Sequence, residues 1–122
     1  MSASDGFIGG TAKIVDHGPN ASRWNLVFLG DGYQASELTQ YHNDVQHVLD
    51  LMYTTAPYHS QWSGINVHRI DVVSTDSGAD DPLDCPDPEG TTPSGATPRT
   101  YYDAAFCSNS TVGRVQIGRA HV

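Results

Sequence analysis

The sequence predicts an α/β fold built on a β-α-β unit, and three observations predict it. Leu26, Val27, Phe28 and Leu29 form an unbroken apolar run of strand length that stops at the glycine-bracketed aspartate Gly30-Asp31-Gly32. From Leu38, the residues Tyr41, Val45, Val48, Leu49 and Met52 follow at offsets of 3, 7, 10, 11 and 14, which is one face of a helix. Ile65 to Val73 is then rich in β-branched residues and reads as a second strand. A strand, a helix and a strand in that order make a crossover unit, expected to be right-handed with parallel strands.

Each element follows from its local composition. Residues 1–23 are polar and glycine-bearing without a clear period, and read as an extended lead-in or a frayed edge segment. The run from Leu26 to Leu29 suits a strand covered on both faces, as in a parallel sheet. Gly30 and Gly32 allow a sharp turn and close backbone approach, at the carboxyl end of a strand where open α/β folds bind ligands. Asp31 therefore occupies a position where chemistry often sits, or caps backbone N–H groups near a structural turn. Ser36 is the expected helix cap, and Pro57 requires the helix to end before it. Gly64 opens the second strand.

After Ser74 the character changes. From there to about Thr100 the chain is filled with Asp, Pro, Gly, Ser and Thr, without apolar periodicity. So long a connection is functional, disordered, or a sign that part of the fold is absent. Half of the acidic side chains fall between Asp71 and Glu89. Asp76, Asp80, Asp81, Asp84 and Asp87 could gather around a hard cation such as calcium, but they lack the regular alternation and closing glutamate of a known calcium loop. A solvated acidic loop is the favoured reading. Cys85 and Cys107 bracket the second half of this stretch, either as a disulfide worth roughly 3 kcal/mol or as two thiols in a reducing compartment. Asn20-Ala21-Ser22 and Asn109-Ser110-Thr111 match a glycosylation acceptor pattern too short to carry weight.

Composition excludes several classes. Fourteen acidic against six basic side chains give a formal charge of −8, which argues against nucleic acid or an anionic membrane surface as partner. No apolar run approaches the roughly 20 residues of a membrane span. Met1 to Gly10 has neither the basic start nor the apolar core of a signal peptide. None of the six histidines pairs at the four-residue spacing of a helical zinc motif; His42 and His47 are five apart. Neither a Cys-x-x-Cys pair nor a phosphate-cradling loop occurs. A Gly-Asp-Ser esterase needs a serine where this chain has Gly32, and an aspartate phosphatase needs further carboxylates where it has Tyr33, Gln34 and Ala35.

Three motifs in order carry a family resemblance. Leu26-Val27-Phe28-Leu29-Gly30-Asp31-Gly32-Tyr33, the helix and strand after it, Ser74-Thr75-Asp76-Ser77-Gly78-Ala79-Asp80-Asp81-Pro82, and Tyr101-Tyr102-Asp103-Ala104-Ala105-Phe106 together resemble the IgA-peptidase family of secreted zinc metallopeptidases. The signature positions are Gly30, Asp31, Gly32, Tyr33, Ser77, Gly78, Asp80 and Pro82, with no role implied for each. The resemblance implies the truncated β-α-β start of a zincin-like catalytic domain, an extracellular location, and a protein or peptide substrate. It implies zinc in the full-length protein, held by a later His-Glu-x-x-His helix whose glutamate is the general base. That helix has no counterpart in this sequence. No catalytic or metal residue can be carried over, and the 122-residue chain is expected to bind no cofactor and to be inactive.

The expected organisation is a lead-in over 1–23, the first part of the catalytic domain over 24–116, and a tail over 117–122. The tail, Ile117-Gly118-Arg119-Ala120-His121-Val122, is what a common sequencing adapter encodes when read in frame, and is expected to be foreign to the fold. Two other readings compete: a small exported module binding a cation or sugar through the acidic loop 76–89, and an α/β domain without a ligand.

Overall fold

The computed structural model describes residues 2–84, 92–106 and 115–116. Its strands are β1 (Gly6–Val15), β2 (Trp24–Leu29), β3 (Ile65–Ser74), β4 (Ala105–Phe106) and β5 (Val115–Gln116). Two helices, α1 (Leu38–Tyr53) and α2 (Tyr58–Gln61), lie between β2 and β3. The Cys85 and Cys107 pairing, Asp87, Glu89, the Asn109-Ser110-Thr111 triplet and the 117–122 tail lie outside the described residues.

The predicted β-α-β unit is present. β2 and β3 pair in parallel, with Leu26 opposite Val67 and Leu29 opposite Ile70. Helix α1 lays Tyr41, Val45 and Leu49 on this pair, and with Ile65 and Val67 they form the core cluster. Leu26, Phe28, Leu38 and Trp62 pack around it. Val48, expected on the buried face, is 41% exposed at its margin. The helix starts differently from expectation too. Ser36 does not cap it; Gln34 and Glu37 form a capping box around a single 3-10 turn, Ala35–Glu37, that leads into α1. A glutamate three residues after the cap supplies the reciprocal acceptor that a serine alone lacks.

Two expectations about the sheet are corrected. Of the two readings of the polar, glycine-bearing start, the edge segment is nearer: Gly6–Val15 is a ten-residue edge strand, antiparallel to β3, and it completes a sheet of order β1-β3-β2. Its hidden period has a cause. Register shifts between Ile8 and Gly10 and between Lys13 and Val15 interrupt the alternation that would advertise a strand. Strand β2, in turn, is not covered on both faces. It lies at the sheet edge, α1 covers one face, and on the other Val27 and Leu29 remain 48% and 45% exposed. The central strand β3 is buried instead, with Val67 and Val72 at 0% exposure.

Candidate functional site

The parallel strands bring Asp31 and Ser74 together. Both stand at carboxyl ends, Asp31 just past β2 and Ser74 at the last position of β3, so the register that aligns Leu29 with Ile70 also sets their distance. Ser74 is 2% exposed, and its hydroxyl donates to Asp31 Oδ1 at 3.2 Å. The same Oγ accepts the backbone N–H of Gly32 at 3.0 Å and of Tyr101 at 3.1 Å. Asp31 extends the capture: Oδ1 accepts the Tyr102 N–H and Oδ2 the Ala104 N–H, each at 3.0 Å. Two side chains thus hold three amides of one turn, in which Asp103 has φ +53°. Asp31 caps backbone N–H groups as expected, but those of a segment some seventy residues downstream rather than of its own turn.

The glycines make this convergence possible. A Cβ on Gly30 would stand 2.8 Å from the Tyr41 ring, and one on Gly32, at φ +74°, would stand 2.0 Å from the Gly78 carbonyl oxygen. Gly32 and Gly78 meet through their backbones, the Gly78 N–H donating to the Gly32 carbonyl at 2.9 Å. Tyr33 adds two ties. Its carbonyl accepts the Ser74 N–H at 2.8 Å and its hydroxyl donates to Asp44 Oδ2 at 2.8 Å. Burial, then the Asp44 hydrogen bond, push the Tyr33 phenol up to about 12. Tyr41 is pushed up to about 12 as well, by burial and then by the charge of Asp71. Its hydroxyl stands 3.2 Å from the Phe28 carbonyl and 3.1 Å from that of Ile70, bridging both parallel strands.

The second and third motifs close the assembly. Ser77 donates to Glu37 Oε1 at 2.9 Å, joining the acidic loop to the capping box. Asp80 acts through its backbone: its N–H donates to the Ala104 carbonyl and its carbonyl accepts the Phe106 N–H, both at 2.9 Å. Pro82 is half-buried beside it. The three motifs matched in order along the chain are therefore one spatial unit, which their sequence separation alone could not reveal. The stretch after Ser74 is also more organised than its composition suggests. The Asp76 N–H donates to the Arg99 carbonyl at 3.1 Å, and the Asp81 N–H to that of Ala96 at 2.9 Å.

Chemically, this unit is a junction. The Asp76 carboxylate pairs with Arg99 Nε at 3.1 Å and that of Asp81 accepts the Ser94 amide and hydroxyl, so two members of the suggested cation loop are already engaged. The Arg99 hydrogen bonds hold the Asp76 carboxyl below its ordinary value. Among the described residues, no group of three or more His, Cys, Asp or Glu side chains could hold a metal ion. Four of the described histidines make separate hydrogen bonds. His17 Nδ1 donates to the Ile65 carbonyl at 2.7 Å, His59 Nδ1 to that of Tyr53 at 2.8 Å, and His68 Nε2 stands 3.3 Å from Asn25 Oδ1. His42 Nε2 lies 3.0 Å from Asp71 Oδ1, an oxygen that also accepts Arg69 Nε at 2.7 Å. Burial of Asp71 opposes its ionisation, but the Arg69 and His42 hydrogen bonds prevail and hold its carboxyl below the ordinary value.

The sequence did not reveal the structural part that two positions play in this unit. Ser74 opens the second motif, but only the parallel register places its hydroxyl beside Asp31. Thr100, next to the captured turn, is 0% exposed, and its Oγ1 has no hydrogen-bond partner among the described residues.

Comparison with known proteins supplies the remaining observation. The model of the family described as IgA Peptidase M64 matches residues 12–109. That span takes in all three motifs and begins inside β1. No curated protein matches the chain.

Proposed function

The chain belongs to the IgA Peptidase M64 family, and from that premise we propose that it is the opening part of the catalytic domain of a secreted zinc metallopeptidase, with a zincin-like fold and without peptidase activity of its own. The observation that carries the reading is the family match over 12–109, which covers every residue of the Asp31 junction. A peptidase family implies a protein or peptide substrate. No helix among the described residues is long and apolar enough to cross a membrane.

The residues described do not fit a catalytic zinc. Such a site takes three protein ligands and leaves a fourth position open, whereas His17, His42, His59 and His68 are separated and engaged elsewhere. No catalytic step is therefore assigned to this chain. Its contribution to the whole enzyme is architectural: a parallel strand pair, a covering helix, and a junction that fixes the direction of the chain past residue 104.

Two measurements test the proposal. The purified chain, incubated with zinc and a mixture of protein substrates, is expected to release no peptides; chelator-sensitive cleavage would refute the inactive assignment. Reading the parent gene downstream is expected to reveal a His-Glu-x-x-His codon pattern, and an open frame without one would remove the metallopeptidase assignment. The same record decides whether 117–122 is encoded by adapter sequence.

A further inference from the structure

The two stretches that follow β3, Thr75–Asp81 and Ala96–Phe106, are attached to the sheet in an unusual way. The core cluster of Tyr41, Val45, Leu49, Ile65 and Val67, with its packed neighbours, includes no residue from either stretch. Their fully buried apolar residues are Ala104 and Ala105, 7% and 4% exposed, with Ala79, Pro98, Tyr101 and Tyr102 half-buried. What holds them is mostly polar: the Asp31 and Ser74 acceptors, the Gly78 to Gly32 bond, Ser77 on Glu37, and Thr75 bonded to Asp5, Ser4 and Gln34. They are also laced to each other, through Asp76 and Arg99, Asp81 and Ala96, and Asp80 with Ala104 and Phe106. Segments with few apolar contacts open at lower free energy than the core, and segments bonded to each other open together.

We infer that Thr75–Asp81 and Ala96–Phe106 undock from the sheet as one cooperative unit, with the Asp31 carboxylate as the catch that sets how often this happens. Asp31 is suited to the role because its acceptors reach the turn at two separate amides, Tyr102 and Ala104, while Ser74 braces it from the neighbouring strand. Hydrogen bonds to a charged acceptor are the stronger kind, so this one side chain carries a disproportionate share of the attachment. Asp31 is a positioning residue in this scheme, and the inference does not depend on the peptidase reading.

Native-state hydrogen exchange on the full chain, followed by NMR, tests it. In the unmodified protein the amides of Gly78, Asp80, Tyr102, Ala104 and Phe106 are expected to share one opening equilibrium, distinct from and weaker than that of Val67 in β3. Asp31→Asn keeps the side-chain volume but replaces one acceptor oxygen with a donor, and should accelerate exchange at those five amides together by about 100-fold. The amides of Val45, Leu49 and Val67 should be unchanged. Ser74→Ala should act in the same direction more weakly, and Ser74→Thr, which retains the hydroxyl, should restore protection. The inference is overturned if only Tyr102 and Ala104 respond, since the stretches would then not be a unit. It is equally overturned if all amides, those of β3 included, accelerate alike. Should Asp31→Asn fail to fold, the unmodified protein alone decides, because unequal opening among the five amides refutes a single unit.

Discussion

The β-α-β core and the laced stretches after it are built on opposite principles. In the core, order comes from apolar burial: Tyr41, Val45 and Leu49 of α1 lie on Ile65 and Val67, and the Tyr41 hydroxyl meets the Phe28 and Ile70 carbonyls. In Thr75–Asp81 and Ala96–Phe106, order comes from captured backbone amides, with side-chain carboxylates, a hydroxyl and backbone carbonyls as acceptors. Apolar burial is additive and forgiving of detail, whereas amide capture depends on a few atoms being in place. The two regions should therefore fail differently.

The largest expected effect is in the core. Leu49→Ala removes a side chain that is 3% exposed and should cost about 2–5 kcal/mol, enough to unfold a marginal domain. Denaturant titration by circular dichroism should show the whole transition shift, and a shift confined to the downstream stretches would break the contrast. Gly32→Ala should strike the other region. A Cβ there would lie 2.0 Å from the Gly78 carbonyl oxygen at φ +74°, so the expected cost is about 1–3 kcal/mol. Limited proteolysis should reveal cleavage around 75–81 while helix α1 stays protected.

Next comes alkaline loss. The phenols of Tyr33 and Tyr41 are pushed up to about 12, above the value of about 10 in an unfolded chain. The protonated forms are favoured in the fold, so their contribution is complete below about pH 10 and is lost as pH rises towards 12. Tyr41→Phe should flatten this dependence and cost about 0.5–1.5 kcal/mol through the hydrogen bond shared between the Phe28 and Ile70 carbonyls. A thermal melt series from pH 8 to 12 measures both.

At the acid end the sign reverses. Asp71 is held below its ordinary value, so its contribution is present above about pH 4 and fades as pH falls through the lowered value. Arg69→Met should diminish that acid dependence, and an unchanged acid limb would show that the pairing with Arg69 contributes nothing measurable. Smallest of all should be Arg99→Gln. The Arg99 and Asp76 side chains are 60% and 39% exposed, so water and salt already screen the pair. Stability should barely move, and the salt dependence of exchange at Gly78 should decrease.

How much was legible in the sequence follows the same division. The β2-α1-β3 order could be read because Leu38, Tyr41, Val45 and Leu49 repeat at helical spacing and the strands are apolar or β-branched. The coverage of β2 could not, since an apolar run does not say whether a second layer lies over Val27 and Leu29. Strand β1 was hidden by its two register shifts, which break the period-two signal. The junction was legible only as motifs. Amide capture leaves no periodicity, and an aspartate bonded to residues 102 and 104 looks in sequence like one bonded to its own turn. Ser74 was legible as the start of a motif but not as the partner of Asp31, because that role depends on which strand lies beside it.

The backbone contact between Gly32 and Gly78 has a consequence for how relatives of this chain vary. Where two main chains touch with no side chain between them, substitution at one position cannot be absorbed by trimming the other, because nothing remains there to trim. Relatives carrying a larger residue in place of Gly32 should therefore show an altered loop length or backbone path around Gly78, and the two positions should drift jointly rather than independently. An alignment built around that pair would locate the junction in distant members even where the surrounding aspartates and serines are no longer recognisable.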